Sequence, residues 1–147
     1  MKNINYKFDS SEENKSFLYT GLENHNFPKN EYLNPKIYQK DKKYFGFYAY
    51  EDDIIIGGAY GWIEYENWVK LSLLYVDDNY RNFDIGTKLI KLVEDFSKEN
   101  KVTGIIVNTW DFQARGFYEK MGFTLYAQLE DYPIGATFLS LKKVMVY

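Results

Sequence analysis

The sequence predicts a mixed α/β (α+β) domain: a mostly antiparallel sheet of six to seven strands, with one central parallel pair, flanked by about four helices. Three observations predict it. Residues 43–76 hold three consecutive apolar runs broken by short polar turns, the pattern of antiparallel neighbours. Residues 85–100 then switch to a helical period, and a compact apolar run follows at 102–109, so a helix crosses over between two parallel strands. Two last runs, FTLYAQL and TFLSLKKVMV, flank a turn at Glu130–Gly135 that contains Pro133.

Taken in order, residues 2–8 (KNINYKF) alternate loosely and read as a short first strand. Ser10 and Glu13 stand at capping-box spacing and start a helix whose apolar stripe is Phe17, Leu18 and Leu22. Residues 24–42, with Pro28 and Pro35, read as a loop holding a second short helix. KYFGFYAYED and IIIGGAYGWIEY flank a turn at Asp52–Asp53, and Glu64–Asn67 turns into WVKLSLLYV. Strict alternation there puts Val69, Leu71, Leu73 and Tyr75 on one face, with Lys70, Ser72, Leu74 and Val76 on the other. In the following helix Ile85, Leu89, Leu92, Val93 and Phe96 share a face, and the helix stops near Asn100. After the strand at 102–109, Asp111 is placed to cap a short helix carrying Ala114, Phe117, Tyr118 and Met121 on one face, stopped by Gly122.

Length and composition bound the rest. A chain of 147 residues fits one domain, 1–147, and 46% hydrophobic with 27% charged residues is a globular balance. The 20% aromatic content suits pocket walls as well as cores, although codon bias toward Tyr, Phe and Asn explains it too. A net charge of −3 and no run of Lys or Arg beyond two argue against nucleic acid as a partner. There is no cysteine for a thiolate metal site or a nucleophile, and no metal is expected. No apolar run is long enough to span a bilayer, so no membrane partner and a cytoplasmic location are expected. The exposed final strands leave a homodimer open.

The segment from Val76 to Thr87 joins a strand to a helix N-terminus, where unpaired N–H groups and the positive end of the helix dipole point outward. A diphosphate is a natural guest of such a junction. Gly86 removes a Cβ from the approach, Thr87 adds a hydroxyl, and Arg81 adds a fixed charge.

This turn, the element order and the later run Asp111-Phe-Gln-Ala114-Arg-Gly-Phe117-Tyr118-Glu-Lys-Met-Gly122-Phe123 together resemble the GNAT family of N-acetyltransferases. The resemblance covers nearly the whole chain and is strongest over residues 69–123. The family's turn reads Gln or Arg, two residues, Gly, one residue, then Gly or Ala. Arg81 and Gly86 fit that frame, and Asp84 replaces its first Gly. The resemblance implies acetyl-coenzyme A as acetyl donor, held by Leu74, Tyr75 and Val76 along its pantetheine arm and by Arg81, Asn82, Phe83, Asp84, Ile85, Gly86 and Thr87 at its diphosphate. Asp111, Ala114 and Phe117 are implied further along the arm. It also implies direct transfer to a small-molecule or peptide amine, with Tyr118 protonating the departing thiolate. An unperturbed phenol, with pKa about 10, is protonated at neutral pH. The base stays open among Glu64, Asp111, His25 and water. Acceptor walls are drawn from Phe27, Tyr32, Tyr60, Trp62, Trp68 and Tyr132. The competing reading is a non-catalytic acyl-coenzyme A sensor, favoured by Asp84; a bare interaction module is a third.

Overall fold

The computed structural model of the chain describes residues 2–34 and 42–147. The chain divides into two compact units, residues 1–41 and 42–147, described separately.

In the first unit, residues 2–8 form no ladder, contrary to the strand expected there: an isolated extended segment leaves its N–H and C=O groups without strand partners. Helix α1 spans Glu12–Asn26. Its cap is Ser11, not Ser10: the Ser11 hydroxyl accepts from the Asn14 N–H at 3.2 Å, while the Asp9 carboxylate accepts from the Ser11 N–H at 2.7 Å. The helix therefore starts one residue late and runs on through His25, which was read as part of a loop. A 3₁₀ turn at Glu31–Leu33 follows, capped by Asn30. The rest of the expected loop, 35–41, lies outside the described residues.

The second unit is a six-stranded sheet built from β1 (Tyr44–Glu51), β2 (Ile54–Glu64), β3 (Trp68–Val76), β4 (Gly104–Trp110), β5 (Thr124–Leu129) and β6 (Phe138–Val144). Spatial order is β1-β2-β3-β4-β6-β5, with β3 and β4 parallel and every other pair antiparallel. The β1–β2 turn is Asp52–Asp53, with Asp52 in the left-handed region. Helix α2 (Ile85–Glu99) makes the crossover between the parallel strands. The short helix α3 (Arg115–Lys120) ends at Gly122, whose φ of 92° is the usual glycine stop. Among the described residues there are thus three α-helices and two 3₁₀ turns.

One hydrophobic core joins α2 and α3 to a single face of the sheet. Leu89, Ile90 and Val93 of α2 and Tyr118 of α3 pack with Val69, Leu71, Ile105, Val107, Leu139 and Leu141. The helical stripe centres on Val93, so Ile90 is fully buried and Leu92, expected inside, is 44% exposed. Burying such residues stabilises by about 1.5–3 kcal/mol each.

Candidate active site

The parallel ladder between β3 and β4 runs only from Trp68↔Gly104 to Leu71↔Val107. Beyond that rung β3 continues to Val76 and β4 to Trp110 without pairing to each other. A bulge lies at the same level. Gly61 pairs with Leu71 and Tyr60 with Leu73, which leaves Ser72 over. An extra residue reverses the faces downstream. Leu73 and Tyr75, expected on the same face as the buried Leu71, are 64% and 61% exposed, whereas Leu74 and Val76 pack against the core.

The bulge also decides where the backbone donors point. The Asp77 N–H donates to the Ile56 carbonyl at 2.8 Å, which makes 77 and 56 a hydrogen-bonded pair. By antiparallel alternation Tyr75 pairs the same way, and Leu74 and Val76 turn their N–H and C=O groups away from β2, into the gap. Two such residues span roughly 6–7 Å of strand. An extended guest with amides of its own can pair there as a further strand does.

At the open end of the gap stands the turn. Asp77 accepts from the Asn79 N–H at 2.9 Å and starts a 3₁₀ stretch, Asp78–Phe83. Asp84 then takes φ 56° and ψ 24°, the left-handed conformation that the expected glycine would adopt, with its side chain exposed and making no cap bond. Helix α2 begins immediately after, so the first N–H groups of Ile85, Gly86 and Thr87 have no intrahelical acceptor. Asn82 and Phe83 are exposed beside them. Arg81 is paired with Asp78 at 2.8 Å, both side chains being largely exposed. A surface pair of this kind is worth little.

Gly86 has a use that its place in the motif did not reveal. A Cβ on it would come within 3.2 Å of the Phe117 ring. The glycine therefore admits Phe117 against the first turn of α2 and couples the two motifs. Tyr118 follows, 5% exposed, its ring edge-on to Phe117 and Phe123 at 5.5 Å each. Burial pushes its phenol up to about 12. It therefore stays protonated through the neutral range.

Asp111 does not cap α3. Its N–H donates to the Thr137 carbonyl at 3.0 Å, and its carboxylate accepts from the Thr137 N–H at 3.3 Å, tying the end of β4 to the start of β6. Ala114 occupies the cap position without a side-chain bond. Gln113 holds the turn instead: its amide oxygen accepts from the Thr109 hydroxyl and the Trp110 N–H at 2.9 and 3.0 Å. Lys143, which no motif marked, bonds Glu94 of α2 and the Met121 carbonyl at the end of α3. It clamps α2 to the end of α3, the helix that carries Tyr118.

The remaining candidates fall in both units. Glu64 pairs with Trp68 at the closed end of the β3–β4 ladder and is ion-paired to Lys42 at 3.7 Å. The gap opens three rungs away, roughly 10 Å, so Glu64 is not brought to it. Trp68 packs over Gly104 at that same closed end. Tyr60 and Trp62 join Tyr44 in an aromatic group at 6.1 and 6.0 Å. Tyr132 packs its ring on Phe138 beyond the open end. His25 lies in the last turn of α1, hydrogen-bonded with Lys29, and Phe27 and Tyr32 belong to the same first unit. Among the described residues no group of three or more His, Asp or Glu is placed to hold a metal, and no helix is long and apolar enough to cross a membrane.

Comparison with known proteins agrees with this geometry. Blasticidin-S acetyltransferase of Streptomyces morookaense is 39% identical over 84 residues, 56% of this chain and 61% of that one, so the match spans about three fifths of the relative. The crystal structure of an acetyltransferase from Bacillus cereus superposes with a TM-score of 0.77 at 22% identity, over 96% of this chain and 98% of that one. An aminoglycoside 6′-N-acetyltransferase complexed with coenzyme A superposes with a TM-score of 0.65 at 15% identity, over 95% and 97% of the two chains. The model of the acetyltransferase (GNAT) family matches residues 10–123, which include the parted strands, the turn and the buried tyrosine. The chain belongs to the GNAT acetyltransferase family.

Proposed function

We propose that this protein transfers an acetyl group from acetyl-coenzyme A directly to a primary amine, without a covalent enzyme intermediate. The observation that carries the reading is the gap between β3 and β4: the unpaired backbone of Leu74 and Val76 faces it, and the N-terminus of α2 stands at its open end. The N–H groups of Leu74 and Val76 hold the pantetheine amides and orient the thioester. A donor fixed at the thioester oxygen stabilises the charge that develops there. Ile85, Gly86 and Thr87 offer backbone N–H groups to the diphosphate, and Arg81 leaves Asp78 to join them. The donor supplies an activated thioester. Nitrogen attacks its carbonyl carbon, the C–S bond breaks, and the sulfur leaves with the bonding pair.

Tyr118 meets that sulfur with a proton. At about 12 its phenol is a weaker acid than a free thiol, near 8.5. Burial raises the basicity of a thiolate in the same dry site, which narrows the gap. Tyr118 thus hydrogen-bonds to the sulfur as it leaves and passes its proton as charge builds. The amine loses its proton to water, since Glu64 is engaged at the other end of the ladder, Asp111 is tied to Thr137 and His25 is hydrogen-bonded with Lys29.

Incubation with acetyl-coenzyme A and a panel of small amines, following free thiol, tests the proposal. Thiol release should rise with pH toward the pKa of each acceptor. A plateau near pH 5–6 for every amine would point to a side-chain base. The second reading, a non-catalytic acyl-coenzyme A-binding protein, is favoured by the carboxylate of Asp84 at the cradle. It predicts binding with no thiol release.

A further inference from the structure

A group of aromatic rings on the second unit is not used by the acetyl-transfer chemistry. Along β4, Val107 and Thr109 face the core, so Trp110 turns to the sheet face that α2 and α3 leave free. Phe138 lies opposite it on β6, at 5.5 Å and 63°. Phe112 stacks on Trp110 at 6.2 Å and 8°, and Tyr132 sits edge-on to Phe138 at 5.4 Å. The arrangement is held in place: Trp110 Nε1 donates to the Tyr132 carbonyl at 2.7 Å, and the Asp131 carboxylate accepts from the Gly135 N–H at 3.2 Å. Yet Phe112 remains 71% exposed.

Charge narrows the occupant. Asp111 sits between Trp110 and Phe112, Glu130 and Asp131 precede Tyr132, and no Lys or Arg occurs between Lys120 and Lys142. An exposed ring, in a stretch of chain that carries carboxylates and no cation, suits a planar cation, which both stacks and pairs. A strand of nucleic acid would stack as well, but its phosphates would meet these carboxylates. A compact aliphatic ammonium is attracted to the ring too but has no flat face to stack on it. Trp110 ends the stretch of β4 that borders the gap, so an amine in the gap reaches this face through a short alkyl spacer.

We propose that Trp110 and Phe112, with Glu130 and Asp131, form a subsite for a planar cationic group, a guanidinium or protonated amino-heterocycle, carried by the acceptor amine. The proposal rests on the acetyl-transfer reading. Calorimetric titration of the coenzyme A-saturated protein with 4-guanidinobutylamine, 1,4-diaminobutane and butylamine tests it. The guanidinium compound should bind about fivefold tighter than the diamine, the scale of a cation stacked on an exposed ring. Phe112→Leu should bring the two within about twofold, and Glu130→Gln should weaken the guanidinium compound about threefold, both with unchanged affinity for coenzyme A. Equal affinities for the guanidinium compound and the diamine, or a Phe112→Leu variant that keeps the preference, overturn the subsite and leave the acetyl-transfer reading standing. A wild-type protein that does not bind coenzyme A overturns both.

Discussion

The residue most informative to change is Asp84, because one side chain combines a backbone cost and a charge cost. It adopts φ 56° at the start of α2, beside the proposed diphosphate site. Asparagine keeps the shape and tolerates the same conformation but removes the charge; glycine removes both penalties. A carboxylate about 7 Å from a diphosphate, at an effective dielectric constant of about 60, costs roughly 0.8 kcal/mol per phosphate charge, hence about 1.5 kcal/mol in total. Screening cuts this to about half between ionic strengths of about 0.01 and 0.15 M, where the Debye length falls from about 30 to about 8 Å. Calorimetric Kd values for acetyl-coenzyme A at both ionic strengths are the assay. Asp84→Asn should bind about tenfold tighter at low salt and about threefold tighter at high salt. Asp84→Gly should match it in affinity and gain about 0.5–1 kcal/mol in stability, a rise of a few degrees in Tm. An Asp84→Asn variant no tighter than wild type at low salt would refute the electrostatic reasoning, and one whose gain survives salt would assign it to another cause.

Replacing Tyr118 with Phe should lower thiol release by about 10²–10³-fold while acetyl-coenzyme A affinity stays within about twofold; full turnover would remove it from the mechanism. Because its folded pKa is raised to about 12, the stability its protonated phenol contributes is fully present below about pH 10 and is lost as pH rises toward 12. Urea midpoints of wild type should therefore fall more steeply across that window than those of Tyr118→Phe, by up to about 3 kcal/mol. Gly86→Ala presses on the Phe117 ring at 3.2 Å and should weaken acetyl-coenzyme A binding about threefold, with Phe117→Leu in the same chain restoring it. Lys143→Met leaves Glu94 unpaired in a mostly buried position and should lower stability by about 2–4 kcal/mol by chemical denaturation. Adding Glu94→Gln should return part of that loss.

The local grammar of the chain was legible because it is local. Alternation between polar turns placed β1, β2 and β3; the helical period placed α2; and the change of period at Asp77–Asn79 placed the turn between them. Ala114, Phe117, Tyr118, Gly122 and Phe123 carried the family resemblance through residue type and spacing alone. What strand pairing decides was not legible. A bulge is a count of residues against a partner strand, so Ser72 alone could not announce that Leu73 and Tyr75 would turn outward and Leu74 and Val76 into the gap. The α2 stripe was off by Leu92 because periodicity gives a face only to within a residue, and packing against β3 and β4 chose Ile90. Asp111 looked like a cap by position, yet the approach of Thr137 from a strand 26 residues later claimed its carboxylate. Glu64 and Tyr60 sit on one strand, but only the ladder shows that the gap opens beyond Leu71 and leaves Glu64 at the closed end. Residue chemistry and short-range period thus determined the elements and the motif that carries Tyr118, whereas long-range pairing decided which backbone groups face the gap: a donor's direction depends on which neighbour has already taken the other side of its strand.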